Sequence, residues 1–339
     1  MVTTNTNEPS LVGDGYIDLK TALPLRMPIS VMIEPTNQCN FRCTFCPTAD
    51  KDLLNKVGRP KGFMSLNFFQ EIIDGISKMS IDKGQNLKSL LLYKDGEPLL
   101  HKDLHKMILY AKKKQVTQFI GVTTNGALLN NETSKNLLES GLDDLRISVT
   151  APTNEKYKSI TKTNYTMDEI KNNVNIFYDI KNKKKGKTRV TVSIVDTGIS
   201  SEEKKNFISA FKNISDRIII KPIMGWSDSD VKDWRLGNKR KKFHEPIVCG
   251  DPFSKLSVNF NGSVSVCCVD WSYNTLVGDL NNESFQQVWE GEKLRKFRIL
   301  HLKGRRCDIK ACKNCDAIRE KDAYENIDSI RENLLKVLK

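Results

Sequence analysis

IEPTNQCNFRCTFCP, residues 33–47, is the stretch on which the reading of the fold turns. Its first residues close an aliphatic and β-branched run from Val31 to Thr36 that predicts a strand. Cys39, Cys43 and Cys46 then fall at CxxxCxxC spacing on the following loop. Three soft thiolates this close together can surround one iron-sulfur cluster or contribute to a zinc site, but no fourth cysteine or histidine lies nearby. A closed structural zinc site needs a fourth ligand, so the missing one favours a centre where an exogenous molecule occupies the open metal position. The plainer readings are buried unligated cysteines and zinc completed by a distant ligand.

Outward from this loop, strand patterns alternate with helical ones. Strands are predicted at Lys88 to Tyr93, Thr117 to Thr123, Leu145 to Val149, Arg189 to Val195 and Arg217 to Ile223. Helical spacing of apolar residues marks Ser65 to Met79, Asp103 to Lys114, Thr133 to Ser140, Met167 to Ile180 and Ser201 to Phe211. In the first of these, Ser65 is an N-cap, and Phe68, Phe69, Ile72, Ile73, Ile76 and Met79 form one stripe. Six strands alternating with helices predict an α/β fold of parallel units, with functional loops beyond the carboxyl ends of the strands. From about Met224 the alternation stops. Leu256 to Phe260 and Ser263 to Cys267, joined by Asn261-Gly262, predict a hairpin with a type I′ turn, and a helix is expected over Ser284 to Leu300. A helix-like, basic segment, Tyr324 to Lys339, ends the chain.

The 339 residues contain nine cysteines. The start, MVTTNTNEPS, has neither a basic nor an apolar leader pattern, and no apolar run reaches membrane-spanning length, so a cytoplasmic protein is expected. A reducing compartment disfavours disulfides, which leaves metal ligation as the leading role for the thiols. They divide into Cys39, Cys43 and Cys46 near the start and Cys249, Cys267, Cys268, Cys307, Cys312 and Cys315 near the end. The net charge of +13 lies largely in basic runs such as 112–114 and 239–242, which usually are solvated faces. No nucleic-acid-binding motif accompanies it, so at most it points to an anionic substrate.

CNFRCTFC, with Phe45 at an aromatic position before the last cysteine, resembles the cluster loop of the radical S-adenosylmethionine (SAM) enzymes. That resemblance implies a [4Fe-4S] cluster on Cys39, Cys43 and Cys46, with SAM chelating its fourth iron. Reductive cleavage of SAM would then give a 5′-deoxyadenosyl radical that takes a hydrogen atom from substrate. Lys94-Asp95-Gly96-Glu97-Pro98 resembles the family's GGEP segment. There Gly96 allows close backbone approach and Glu97 accepts from the SAM amino group, but Asp95 stands where the family has glycine. Thr124, Asn125 and Gly126 resemble its TNG segment; Ser148, with Glu155 and Tyr157 beyond it, resembles its fourth-strand motif, and Val195 becomes an adenine contact. The implied fold is a partial (β/α)6 barrel with a small C-terminal iron-sulfur domain. The expected divisions are an irregular segment 1–24, the barrel 25–235, the iron-sulfur domain 236–325 and a terminal helix 326–339.

The second cysteine group, on a stretch reading CGDPFSKLSVNFNGSVSVCCVDW and ending in CxxC, resembles the SPASM/Twitch extension of this family, in the single-cluster Twitch form of its aminocyclitol dehydrogenases. The ligands so implied are Cys249, Cys267 or Cys268, Cys312 and Cys315, holding a second, auxiliary [4Fe-4S] cluster. Neighbouring strand residues point to opposite faces, so only one of the pair is expected to ligate; Cys267 is chosen, with zinc on the same thiols as the alternative. A cluster with four protein ligands has no position for substrate, so it fits electron transfer. The expected function is a radical SAM oxidoreductase acting on a sugar, an aminocyclitol or a nucleotide-linked sugar. A carbinol C–H loses hydrogen to the radical, a base removes the hydroxyl proton and the auxiliary cluster takes the remaining electron. Asp270 and Arg235 are the candidate bases, Asp270 being chemically easier because arginine holds its proton so firmly. Such an enzyme needs a low-potential donor such as flavodoxin or ferredoxin. The rivals are a peptide or protein side-chain modifying enzyme of the same family and a zinc-stabilised module with a basic face.

Overall fold

The structure, a computed structural model, describes residues 17–222 and 246–338 apart from 314, 316, 321 and 322. Strands β1 (Ser30–Ile33), β2 (Ser89–Leu91), β3 (Ile120–Thr124), β4 (Asp144–Val149), β5 (Arg189–Asp196) and β6 (Arg217–Pro222) lie side by side in chain order, every neighbouring pair parallel. Helices cross between them, and the order is that of a partial (β/α)6 barrel. Parallelism puts the carboxyl ends of all six strands on one edge, so the loops after β1 to β4 share that edge.

Sequence dictates these elements locally. Ser65 caps the helix Leu66–Lys83 by accepting from the amide of Phe68 at 3.1 Å, and Gly84, at φ +64°, closes it in a left-handed cap. Its stripe of Phe69, Ile72, Ile73, Ile76 and Met79 is buried in the main core, each side chain contributing about 1.5–3 kcal/mol. On β4, Leu145, Ile147 and Val149 face this core, while Asp144, Arg146 and Ser148 alternate onto the other face. Parallel strands covered on both sides are normally apolar on both. A buried row of Asp144, Arg146, Thr191 and Ser193 therefore marks the inner face as built for polar contacts.

The C-terminal part joins the same sheet. β7 (Lys255–Val258) runs parallel to β1, and β8 (Ser263–Ser265) and β9 (Leu276–Asp279) follow antiparallel, giving the order β6-β5-β4-β3-β2-β1-β7-β8-β9. Two sequence expectations need correction. The hairpin turn is not type I′: Gly262 has φ +89° but Asn261 is absent from the positive-φ residues, and the amide of Gly262 bonds back to the carbonyl of Asn259. The helix expected over Ser284 to Leu300 is two, Phe285–Glu290 and Glu292–Leu302, because Gly291 takes an extended conformation (φ −70°, ψ 155°) between them. A helix over Asn154–Thr161 was not predicted, and only Arg331–Leu338 of the terminal segment is α-helical. Among the described residues no helix is long and apolar enough to cross a membrane.

Candidate active site

The loop after β1 is held from two sides. The amides of Arg42 and Thr44 donate to the carbonyls of Thr161 and Ile160, tying the loop to the helix Asn154–Thr161. Phe41 meets Tyr157 of that helix edge-on, with ring centroids 6.1 Å apart. Within this frame Cys39, Cys43 and Cys46 are half-buried. Burial raises all three thiols, Cys39 to about 12, and each also feels the charge of a neighbour: Cys46 on Cys39, and both Cys46 and Cys39 on Cys43. A bound cationic metal would reverse that penalty and draw off the protons, as the chemistry of a thiolate donor set requires. Phe45, beside the third thiol, is half-buried.

The loop after β2 packs directly on this one. A Cβ on Gly96 would lie 2.2 Å from the carbonyl oxygen of Thr36 and 2.6 Å from that of Gln38, so only glycine fits. Glu97 is buried; Oε1 accepts from Thr124 Oγ1 at 2.6 Å and the Leu99 amide at 2.9 Å, and Oε2 from the Asn125 amide at 2.7 Å. Desolvation pushes its carboxyl up to about 7 despite these bonds. Asn125 also donates to Asn40 Oδ1 at 2.8 Å, joining the third-strand loop to the cysteine loop. Ser148 and Val195 are half-buried farther along the same edge. Gly96 and Asn125 thus meet the cysteine loop, and Glu97 and Thr124 bond to one another beside it.

Asp95 has a role that the sequence did not disclose. Its side chain is fully buried and pairs with Arg59 at 2.9 Å and Lys94 at 3.2 Å. Arg59 also reaches Glu34 at 3.3 Å and donates to the carbonyl of Trp271 at 3.0 Å; Lys94 donates to Asn259 Oδ1 and to the carbonyl of Asp270. Burial pulls the Arg59 guanidinium down, but Asp95 and Glu34 outweigh it and hold it above its ordinary value. Both cations lie over the ring of Tyr273, whose hydroxyl donates to Glu34. An acidic residue in place of glycine was the only sequence signal of this network.

Behind it, Cys249, Cys267, Cys312 and Cys315 line one hollow together with Asp251, His301 and Arg306. Burial raises the Cys312 thiol, and the charges of Cys249 and Cys315 add to it. Cys268 is not in the hollow wall, but strand alternation does not separate the pair as expected: β8 ends at Ser265, and the Cys267 and Cys268 side chains share a hydrogen bond. Cys268 also lies within electrostatic reach of Tyr93, as do Arg146 and Asp144 of the inner face. Cys307 is exposed. The expectation that Asp270 is a base needs correction: it is fully buried, and its oxygens accept from Ser272 Oγ, the Asn274 amide, and the amide and hydroxyl of Thr275. A carboxylate with four accepted bonds holds its turn and has no lone pair left for a substrate proton. Arg235 lies outside the described residues.

Residues 33–208 match the radical SAM superfamily. The chain belongs to that superfamily. Residues 249–316 match the SPASM iron-sulfur cluster-binding domain, so this radical SAM protein has the cofactor set of SAM and [4Fe-4S] clusters. The GTP 3′,8-cyclase of Staphylococcus carnosus is 28% identical over 233 residues, 66% of this chain and 64% of that one. The probable GTP 3′,8-cyclase of Metallosphaera sedula is 31% identical over 179 residues, 53% of this chain and 50% of that one. The radical SAM chain thus spans less than two-thirds of the length of these relatives. Among solved structures, BtrN in complex with AdoMet and 2-DOIA superposes with TM-score 0.53 at 17% identity, covering 86% of this chain and 93% of that one. Streptococcus suis SuiB bound to S-adenosylmethionine gives 0.63 at 14%, covering 91% and 78%. At these identities the likeness is one of fold.

Proposed function

We propose that this radical SAM protein is an oxidoreductase acting on a small polar substrate held against the inner face of the barrel, with a second cluster on Cys249, Cys267, Cys312 and Cys315 as electron acceptor. One observation carries the reading. Two neighbouring thiols link the hollow to the inner face: Cys267 lines the four-thiol hollow and shares a side-chain hydrogen bond with Cys268, whose charge Tyr93 feels together with that of Arg146. An electron leaving the inner face would cross at this contact. Four thiols complete the ligand set of a [4Fe-4S] cluster and leave no iron for substrate. When bound, the cofactors supply a 5′-deoxyadenosyl radical for hydrogen abstraction and an acceptor for one electron.

The chain's own residues do the rest. Arg146 is 8% exposed, and its Nε has no hydrogen-bond partner among the described residues, so it fits an oxyanion or a ring of hydroxyls. Tyr93, pushed up to about 12 by burial, keeps its proton and serves as a donor. Lys221, opposite Val195 at the end of β6, replaces Asp270 as candidate base: desolvation and Arg146 push its amine well below the ordinary value, which favours the neutral, proton-accepting form. Cys39, Cys43 and Cys46 would hold the SAM-binding cluster, with Glu97 receiving the SAM amine.

Sequence similarity to the GTP 3′,8-cyclases favours a second reading, in which a purine nucleotide is the substrate. Anaerobic incubation of the reduced enzyme with deuterated aminocyclitols, sugar phosphates, GTP and peptides separates the readings through deuterium transfer into 5′-deoxyadenosine. Transfer from a carbinol carbon with a ketone product is expected, and transfer from GTP or a peptide alone refutes the proposal. Lys221→Met should stop ketone formation while SAM cleavage continues.

A further inference from the structure

The wall of the four-thiol hollow contains one group that the ligand set does not use. His301, on the helix Glu292–Leu302, is 1% exposed, and neither Nδ1 nor Nε2 has a hydrogen-bond partner in the described structure. Its ring stacks on Phe297 one turn earlier, centroids 5.0 Å apart and planes 22° from parallel, and both rings line the hollow. The other polar side chains there are engaged. Asp251 pairs with Lys255 at 3.1 Å, Asp270 is saturated by its own turn, and Arg306 donates to the carbonyl of Cys312 at 2.7 Å. A neutral imidazole always carries one N–H donor, and burying that donor unpaired is unfavourable. The stack on Phe297 fixes the ring against turning away to another acceptor.

We infer that His301 donates a hydrogen bond to a sulfide or cysteinyl sulfur of the auxiliary cluster and thereby raises its reduction potential. The four thiols already supply one ligand per iron, so the imidazole is left as a donor to sulfur. Such a bond stabilises the more negative, reduced cluster, so it makes the centre a better electron acceptor. That is the direction an acceptor of substrate electrons needs. The inference rests on the assignment of the four thiols to one cluster, which is checked separately below.

The test uses the full chain with Cys39, Cys43 and Cys46 replaced by Ala, so that the auxiliary cluster is the only paramagnet. Loss of its iron on further replacement of Cys312 and Cys315 establishes that the cluster sits on these thiols; iron that stays refutes the four-thiol reading by itself. In the same background His301→Phe preserves the stack and removes the donor. With unchanged iron content, an EPR-monitored titration should show the midpoint falling by at least the equivalent of a tenfold change in the reduced-to-oxidised ratio, about 59 mV for one electron. An unchanged midpoint with iron intact overturns the inference. Pulsed EPR of the unsubstituted His301 protein labelled with ¹⁵N-histidine gives a reading that does not depend on any His301 variant holding its cluster. A weak coupling transmitted through a hydrogen bond is expected, whereas a strong coupling of a directly bound nitrogen, or none at all, overturns it.

Discussion

Replacing Arg59 by Met removes the hub that joins the cysteine loop to the C-terminal strands. The guanidinium pairs with Asp95 at 2.9 Å and Glu34 at 3.3 Å, donates to the Trp271 carbonyl at 3.0 Å and covers the Tyr273 ring at 4.8 Å. The side chains of Arg59, Asp95 and Glu34 are at most 2% exposed, so water cannot replace the lost partner. Arg59→Met leaves two buried carboxylates sharing Lys94, and breaking a buried pair from one side costs about 3–5 kcal/mol. In Arg59→Met/Asp95→Asn one of the two stranded charges goes too, so the double variant should be about 1–3 kcal/mol less destabilised than the sum of the singles. Urea unfolding of the apoprotein followed by tryptophan fluorescence measures all three. The pH dependence is a second signature. Burial already raises the Glu34 carboxyl, and losing Arg59 raises it further. A carboxyl with a raised folded-state value binds a proton that the unfolded chain has released, so its contribution falls as pH rises above the ordinary glutamate value of 4.5. The Arg59→Met penalty should be larger at pH 8 than at pH 5.5. A penalty below about 1 kcal/mol, as for an exposed pair, or strict additivity in the cycle, refutes the reasoning.

Glu97, at about 7 in the fold, should make apoprotein stability decline between pH 4.5 and 7 by up to about 3 kcal/mol; Glu97→Gln should flatten that slope in urea titrations, and an unchanged slope would assign it elsewhere. Gly96→Ala should weaken SAM binding at least tenfold in equilibrium dialysis with the circular dichroism unchanged, because the added methyl meets backbone oxygens 2.2 and 2.6 Å away. Replacing Cys312 and Cys315 by Ala should lower iron from about eight to about four per chain while SAM cleavage persists and substrate oxidation stops.

What the sequence disclosed was what is local. Periodicity located all six parallel strands, and CxxxCxxC followed by Gly96, Glu97, Thr124 and Asn125 at the ends of consecutive strands outlined the first site. What it concealed depends on contacts distant in the chain. Asp95 looked like a flaw in a glycine motif until Arg59 and Lys94 stood beside it. Asp270 looked like a free carboxylate because its four donors belong to a turn whose shape no periodicity encodes. His301 sits at an unremarkable helical position, and only the closing of the hollow around it leaves its nitrogens without partners. Gly291 was visible as a residue, but whether one glycine is tolerated inside a helix or ends it depends on packing at both sides.

Continuity of the sheet gives these parts a common logic. Because β7 pairs with β1 rather than starting a sheet of its own, the strand leading to the three-thiol loop has a fixed register with β7, Ile33 opposite Val258, and β7 in turn pairs antiparallel with β8, which leads to Cys267. The Arg59 network then ties the two loops beyond those strands, through Glu34 and Asp95 on one side and Trp271 and Tyr273 on the other. A displacement of the four-thiol hollow relative to the three-thiol loop would have to break ladder hydrogen bonds and a buried ion network together. The proposed electron transfer across a fixed distance would need that rigidity, and a domain joined by a flexible linker alone would not supply it. Asp95 in place of a glycine is consistent with this: it forgoes backbone freedom beside the first site to lock the second one in register.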